Sequence, residues 1–268
     1  MTRLVQTLRV LRHAARSGFQ DLRATYTLWS WLFGLFARMV AQVAFFASIG
    51  RLLGSSEQVE FLLVGNAVMV AASASLTVTV ATTWERGAGT LPLLVASPSS
   101  PVVVLMGRSV CFIANGLVTS LGGLLIVAPL FGVALPWARL PGYLALLTLV
   151  TVSTYMSATF LGALVLRAVG ARRTVANVAR LVLMAFCGVS VPRELFPVPV
   201  RRVADVLPLT HGLEAIREMF GAARPDRILA LAGMEALVAA GWLVLSLATF
   251  RRMADAGRRD GSIVFSSA

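Results

Sequence analysis

Apolar and basic residues alternate with a helical period over the first 25 positions of the chain. Six apolar side chains recur every three or four positions, at Leu4, Leu8, Leu11, Ala15, Phe19 and Leu22. Arginine occupies positions between them, at Arg3, Arg9, Arg12, Arg16 and Arg23. This pattern predicts an amphipathic helix whose basic face lies on an anionic membrane surface, and we assign residues 1–27 to it.

Six long apolar segments follow the amphipathic helix. They lie at about 28–50, 59–81, 103–132, 142–166, 174–191 and 228–250. A transmembrane helix needs about 20 mainly apolar residues to cross a hydrocarbon core of about 30 Å. The pattern therefore predicts an all-α integral membrane protein, with six transmembrane helices in residues 28–250 and a cytoplasmic tail at 251–268.

The fifth apolar segment is short for a complete crossing. Only eleven uncharged residues separate Arg180 from Pro192, so Arg180 snorkels, faces a polar interior, or lies in a helix that the following residues complete. Four prolines, at positions 192, 197, 199 and 208, then rule out one continuous helix. A helical pattern resumes at Leu213. We predict an external re-entrant segment of two short helical pieces at about 192–221.

The composition supports a membrane protein and excludes one kind of nucleotide site. Hydrophobic residues make up 57% of the 268 residues and charged residues 13%, whereas soluble domains have about 45–50% and about 25%. All 24 basic residues are arginine. A phosphate-binding loop uses a lysine to reach the nucleotide, and this sequence has no lysine. Any ATP therefore has to be bound by a partner. In a membrane protein, the net charge of +12 indicates topology signals and lipid contact rather than nucleic acid.

The distribution of arginine predicts the orientation of the chain. The N-terminal segment, the connection 167–173 and the tail beyond residue 250 hold five, three and four arginines, whereas the connections 51–58 and 133–141 hold one each. Cytoplasmic connections are enriched in positive residues, so both termini are expected on the cytoplasmic side. The external segment 192–227 departs from this rule, because it holds six arginines together with five acids.

Polar residues inside the predicted spans are candidates for a translocation path or a subunit interface. Arg38 and Gln42 lie one helical turn apart in the first span, and Asn66, Ser73 and Thr77 share one face of the second. A charge at membrane depth is costly unless it faces protein or water, which favours a functional or interface role for Arg38. For the serine and threonine positions, ordinary helix packing is the alternative.

Catalytic chemistry has little support in the sequence. Its histidines are His13 and His211, and its cysteines, Cys111 and Cys187, lie in apolar runs. We find no nucleophile with a base in reach and no ligand cluster with metal spacing. We therefore expect no enzyme activity, cofactor or metal on this chain.

The stretch 82–101, TTWERGAGTLPLLVASPSSP, joins the second and third spans but is not a plain polar linker. A charged pair and two glycines precede Thr90, a suitable helix cap, and an apolar run with a proline in its first turn follows. This pattern predicts a short helix at about 83–98 that lies along the membrane and presents its charges to the cytosol. A soluble motor could dock on such a helix.

At these residues the chain resembles the permeases of the ABC type-2 transporter family. The family pattern is Glu-Arg-x-x-Gly-Thr-Leu-x-x-Leu-x-x-Ser-Pro, and the chain matches it at Glu85, Arg86, Gly89, Thr90, Leu91, Leu94, Ser97 and Pro98. A second motif precedes the last span and is carried by Pro208, His211, Ile216 and Arg217. The chain departs from many relatives at Pro92, where they have an acidic or polar residue.

The resemblance implies the permease subunit of an ATP-driven exporter in a bacterial cytoplasmic membrane. Such a subunit pairs with a second permease half, identical or homologous, and with two cytosolic ATPase subunits that bind ATP and Mg. The coupling contact would be carried by Glu85, Arg86, Gly89, Thr90, Leu91 and Leu94. The external gate would include Pro192, Pro208, His211 and Arg217. The substrate would be hydrophobic or amphipathic: a drug, an antibiotic, a glycolipid or a polysaccharide.

The main alternative is a stand-alone secondary transporter or channel. Ion coupling would require charged residues deep in several spans. Beyond Arg38 and Arg180, only Glu235 in the last span is of this kind. A membrane-embedded enzyme is the second alternative, and the missing nucleophile–base pair disfavours it.

Overall fold

The computed structural model describes residues 2–81, 101–165, 169–221 and 224–259, and in these ranges the chain is helical, without strands. The helices are α1 (Thr2–Thr25), α2 (Ala37–Leu52), α3 (Ser56–Leu76), α4 (Val78–Ala81), α5 (Pro101–Leu130), α6 (Leu140–Val165), α7 (Arg172–Phe186), α8 (Val198–Asp205), α9 (Thr210–Phe220) and α10 (Pro225–Arg259). A π-helix at Ser30–Phe36 leads into α2, and short 3-10 turns lie at Trp137–Arg139, Val169–Ala171 and Arg193–Leu195.

Five helical stretches in the described ranges are long and apolar enough to cross a membrane. They are Ser30–Leu52, Ser56–Ala81, Met106–Leu130, Trp137–Val165 and Pro225–Arg252. They coincide with five of the six predicted segments, and the protein is a multi-pass membrane protein with an all-helical fold.

The predicted fifth span is occupied by α7, which has 15 residues. At 1.5 Å per residue this helix is about 22 Å long, shorter than a hydrocarbon core of about 30 Å. The chain continues from Cys187 to Val191 without helical structure, and Cys187 and Val189 are buried. A bent, partly buried segment therefore follows α7 where a longer helix would have continued. The sixth crossing stays a prediction.

The helix α3 lies at the centre of the molecule. Within Ser56–Ala81, 83% of the most apolar 18-residue window is buried, because alanine, valine and leucine cover every side of the helix. Two hydroxyl groups form hydrogen bonds between α3 and its neighbours. Ser75 of α3 donates to the Thr151 carbonyl of α6 at 3.1 Å, and Ser120 of α5 donates to the Ala67 carbonyl of α3 at 2.6 Å. The first, third and fourth spans pack around this helix.

The amphipathic helix α1 is attached to the start of α5. Gly18 lies directly against the backbone of Arg108, and Gly107 lies against Ala14, so small residues allow the two helices to approach closely. The guanidinium of Arg108 also forms an ion pair with Asp21 at 2.5 Å. These contacts give α1 a fixed position beside the third span.

Candidate functional site

Arg38 lies on an exposed face of the first span. It is eight residues beyond Ser30, so its Cα is about 12 Å along the helix. Met39, Val43 and Ala47 are buried on the opposite side of the helix. We call the exposed side the outward face of the first span, and it consists of Gly34, Arg38, Ala41, Phe45 and Ser48.

Arg180 is another arginine inside a predicted span, in α7. It is eight residues beyond the start of α7 at Arg172, so it also lies about 12 Å along its helix, and it is half-buried. Neither Arg38 nor Arg180 forms a hydrogen bond or an ion pair with any residue that the structure describes. Each of the two arginines therefore lies about 12 Å from the start of its own helix, without a described partner.

The other predicted path residues do not share this surface. Gln42 is half-buried, one turn beyond Arg38, whereas Asn66 is fully buried in α3 and donates to the Leu62 carbonyl at 2.9 Å. The side-chain oxygens of Asn66 and Ser73 lack a hydrogen-bond partner among the described residues, and Thr77 is half-buried. The structure therefore places Asn66 in the packed core, and the path role of the α3 residues stays a prediction.

Arg217 joins the predicted external gate to the centre of the molecule. From α9 its guanidinium donates to the carbonyls of Gly188 at 2.6 Å, Val189 at 3.0 Å and Phe61 at 3.2 Å. It also stacks over the Phe61 ring, 3.5 Å from the centroid. Arg217 thus links α9, the bent segment after α7 and the central helix α3.

The remaining predicted gate residues differ in environment. His211 is buried beside α8, where its Nε2 lies 3.0 Å from the Asp205 carbonyl oxygen. Pro208 is buried and Pro192 is exposed. The motif residues Pro208 and His211 are thus packed, whereas Pro192, which lies outside the motif, is on the surface.

Glu235 holds α9 through the backbone, a role that the sequence did not reveal. The residue is fully buried in α10, and its two carboxylate oxygens accept from the Leu209 N–H at 2.9 Å and the Gly212 N–H at 3.0 Å. Leu209 has a φ of 83°, a left-handed conformation that is costly for leucine, at the position just before α9. A carboxylate at a helix N-terminus satisfies free N–H groups and complements the helix dipole. The signal in the sequence was a single acid inside an apolar span.

Gly212 is required for this contact. A Cβ atom at this position would lie 2.2 Å from the Val150 side chain and 3.2 Å from the Glu235 side chain. The glycine thus lets the start of α9 reach both α6 and α10.

Paired charges cover the outer edge of the same region. Arg193 contacts Asp205 and Glu214, Arg227 contacts Glu214 and Glu218, and Arg224 contacts Glu218 at 2.8 Å. The hydrogen bond from Arg224 holds the pKa of Glu218 below its usual value. The segment 192–227 departs from the positive-residue rule, and three of its arginines form local ion pairs.

The family of the chain follows from comparison with known sequences. The family model for the ABC-2 type transporter matches residues 14–220, well over half of the chain. The chain belongs to the ABC-2 type transporter family. No curated protein is significantly similar to it. The resemblance inferred from the motifs is thereby confirmed, and the chain is a permease subunit of an ABC transporter rather than an enzyme.

Every predicted site residue of this ABC-2 permease lies within the matched range, whereas Glu235 lies beyond it. The candidate coupling residues Glu85, Arg86, Gly89, Thr90, Leu91 and Leu94 fall outside the residues that the structure describes. Their role in ATPase contact stays a prediction.

Proposed function

We propose that this permease is one half of an ATP-driven exporter and pairs with a second permease half through the outward face of the first span. The observation that carries the proposal is the exposed Arg38 on that face. An unpaired charge at membrane depth is costly in lipid, so this face needs protein or a polar path against it. Family membership favours an ATP-driven assembly over a stand-alone secondary transporter.

The two least buried spans have outer surfaces of different chemistry. In both the first span and the last, only 17% of the most apolar window is buried. The exposed face of α10 mixes large apolar side chains, such as Leu237 and Val244, with small residues such as Gly233 and Gly241, and it has no exposed charge between residues 228 and 250. The outward face of the first span has a similar mixture, but it also carries Arg38. A charge at membrane depth is costly in lipid, so we assign this face to the partner and the α10 face to lipid.

The absence of lysine supports ATP binding on a separate subunit. We assign docking of two cytosolic ATPase subunits to residues 82–101 and ATP and Mg binding to those subunits. Binding of ATP would shift the permease between two helix packings. The α8–α9 region, held by Arg217 and Glu235, would close the external side. The substrate would leave the cytoplasm or the inner leaflet between the two permease halves.

A photo-crosslinking experiment tests the pairing face. We expect p-benzoylphenylalanine at Ala41, in native membranes, to capture a second permease chain, either a copy or a homologue, identified by mass spectrometry. The same group at Leu237 on α10 is the matched control and should capture no permease chain. Capture of a permease chain at Leu237 but not at Ala41 would contradict the proposed interface.

A further inference from the structure

We propose that Arg38 makes the outward face of the first span selective for a non-identical permease half that presents a carboxylate to it. This inference rests on the proposed function, because it concerns the partner that covers that face. It decides between the two partners that family membership leaves open, a second copy of the chain and a homologue.

Arg38 lies near the middle of the outward face of the first span. Gly34 and Ala41, its neighbours on that face, are exposed and have no polar side chain, and Phe45 follows at 61% exposure. The guanidinium of Arg38 forms no hydrogen bond or ion pair with any residue that the structure describes. A charge that is removed from water is costly unless it is paired and hydrogen-bonded, so the partner that covers this face has to supply the acceptors.

The membrane helices offer almost no carboxylate that could serve as the acceptor. Aspartate and glutamate are absent from residues 30–52, 101–130, 140–165 and 172–186. The acids of α3, Glu57 and Glu60, fall in its first two turns, at the end of the first hairpin that is opposite Ser30. Arg38 is fourteen residues from Leu52 at that end of its own span, a distance of about 21 Å.

Glu235 is the one described acid that lies inside a candidate span, away from its ends. It is fully buried in α10, and its two carboxylate oxygens accept the N–H groups of Leu209 and Gly212. A second copy of the chain could offer this carboxylate to Arg38 only by exposing it and removing the cap of α9. Self-pairing would therefore leave Arg38 without a described counter-charge.

Symmetry adds repulsion to the missing counter-charge. Two copies cross the membrane in the same direction, so a two-fold axis that relates them runs along the membrane normal and equal residues lie at equal depth. Contact through the outward face of the first span would bring the two Arg38 side chains to the same depth on facing surfaces. Like charges repel strongly in a medium of low polarity. Arg38 thus acts against self-pairing, as a repulsive element that excludes a wrong partner.

A homologous half with an aspartate or glutamate at this depth would remove both problems. A guanidinium and a carboxylate form two parallel, charge-assisted hydrogen bonds, which fix the geometry of the contact as well as its charge. Removal of one member of a buried ion pair leaves an uncompensated charge, so such a pair discriminates strongly between partners. The partner that this face fits is therefore a permease half with an acid opposite Arg38 and apolar residues around it.

Pairing between two differently tagged copies tests the inference in a heterologous host. Full-length chains with a His tag and with a FLAG tag are co-expressed, and p-benzoylphenylalanine at Ala41 captures the contact between them. We expect Arg38 paired with Arg38→Glu to be captured about tenfold more than two wild-type copies or two Arg38→Glu copies, because only the mixed pair joins opposite charges. The measurement is the FLAG-tagged chain recovered with the His-tagged chain, relative to the amount of each in the membrane.

The matched control is Arg12→Glu, which makes the same charge reversal at an exposed position of α1. Wild type paired with Arg12→Glu should be captured no more than two wild-type copies. Two copies of the neutral variant Arg38→Leu should pair more readily than two wild-type copies, which keeps the test informative if Arg38→Glu inserts poorly. Wild-type copies that pair as well as the mixed pair would overturn the proposal, as expected if water or an external anion lies against Arg38.

Capture at Ala41 in native membranes identifies the partner itself. We expect mass spectrometry to find a homologous permease chain whose crosslinked span contains an aspartate or a glutamate. Capture of a second copy alone would overturn this inference and leave the proposed pairing face intact. Capture of no permease chain at Ala41 would overturn the pairing face as well, so the two failures are distinguishable.

Discussion

Glu235 explains how a single carboxylate can be accommodated inside an apolar helix without a cation. Its two oxygens accept hydrogen bonds from the first N–H groups of α9, which have no partner within their own helix. The carboxylate thus serves as a helix cap supplied from another helix. This contact also supports the unfavourable left-handed backbone of Leu209.

We predict that Glu235→Ala destabilises the permease by about 2 kcal/mol or more, because two buried N–H groups lose their acceptor and each costs about 1–3 kcal/mol. The measurement is the free energy of unfolding in detergent or the midpoint of thermal unfolding. Ser246→Ala is the matched control on the same helix, since Ser246 is fully buried and its hydroxyl has no hydrogen-bond partner among the described residues. A Glu235→Ala variant as stable as the control would refute the capping role.

At the scale of elements, α7, α8 and α9 show how prolines and short helices can form a packed region. The helix α8 begins directly after Pro197 and ends at Asp205, before the buried Pro208. Thr210 donates back to the Ala204 carbonyl at 2.7 Å, and Trp242 of α10 donates to the Val206 carbonyl at 3.1 Å. Carbonyl groups at the end of α8 thus accept hydrogen bonds from side chains outside that helix, as burial against the spans requires.

Thiol labelling tests whether the segment 192–221 is packed or solvated. We predict that single cysteines at Leu195 and Val203 react with a membrane-impermeant reagent from outside. Cysteines at Ala204 and Leu213 should stay protected, because these side chains are 1% and 0% exposed. The measurement is the extent of labelling in intact cells, with Cys111 and Cys187 replaced by alanine.

Val203 and Ala204 form a matched pair, since they are adjacent in the chain and differ in orientation. Denatured protein serves as the full-labelling control. Equal labelling of all four positions in the native protein would mean a solvated loop, and the proposed gate would be wrong.

At the scale of the whole molecule, the extent of burial separates the helices by role. The second span is 83% buried over its most apolar window and the first and last spans only 17%. One subunit therefore leaves two long helices uncovered. We propose that the first meets the partner permease and the last meets lipid, while the ATPase contacts residues 82–101 from the cytosol.

We predict that Glu85→Ala/Arg86→Ala leaves membrane insertion intact and weakens co-purification with the partner ATPase and stimulation of its ATP hydrolysis. The physical reason is the loss of the charged pair that the predicted coupling helix presents to the cytosol. The control variant is Arg51→Ala/Glu57→Ala, which removes an exposed base and an exposed acid from the connection between the first two spans. Unchanged coupling in the first variant, or equal loss in both, would disprove the coupling role.

The sequence alone determined the helical membrane character, five of the spans and the family, because hydrophobic length, helical period and local motifs depend on neighbouring residues. The apolar segment predicted at 174–191 extends beyond the end of α7 at Phe186, because apolar composition does not distinguish a helix from a bent segment buried by its neighbours. Asn66 and Arg38, both candidates for a path or an interface, lie in different environments, since Asn66 is buried in α3 and Arg38 is exposed.

Only the tertiary structure decided that Glu235 caps α9. This contact joins residues 23 to 26 positions apart, and it arises from the way helices pack, which no local pattern encodes. The tertiary structure also decided the position of Arg217, whose hydrogen bond to the Phe61 carbonyl joins residues 156 positions apart. Membrane insertion depends on the composition of each segment, whereas the position of a charge within the bundle depends on which helices cover it.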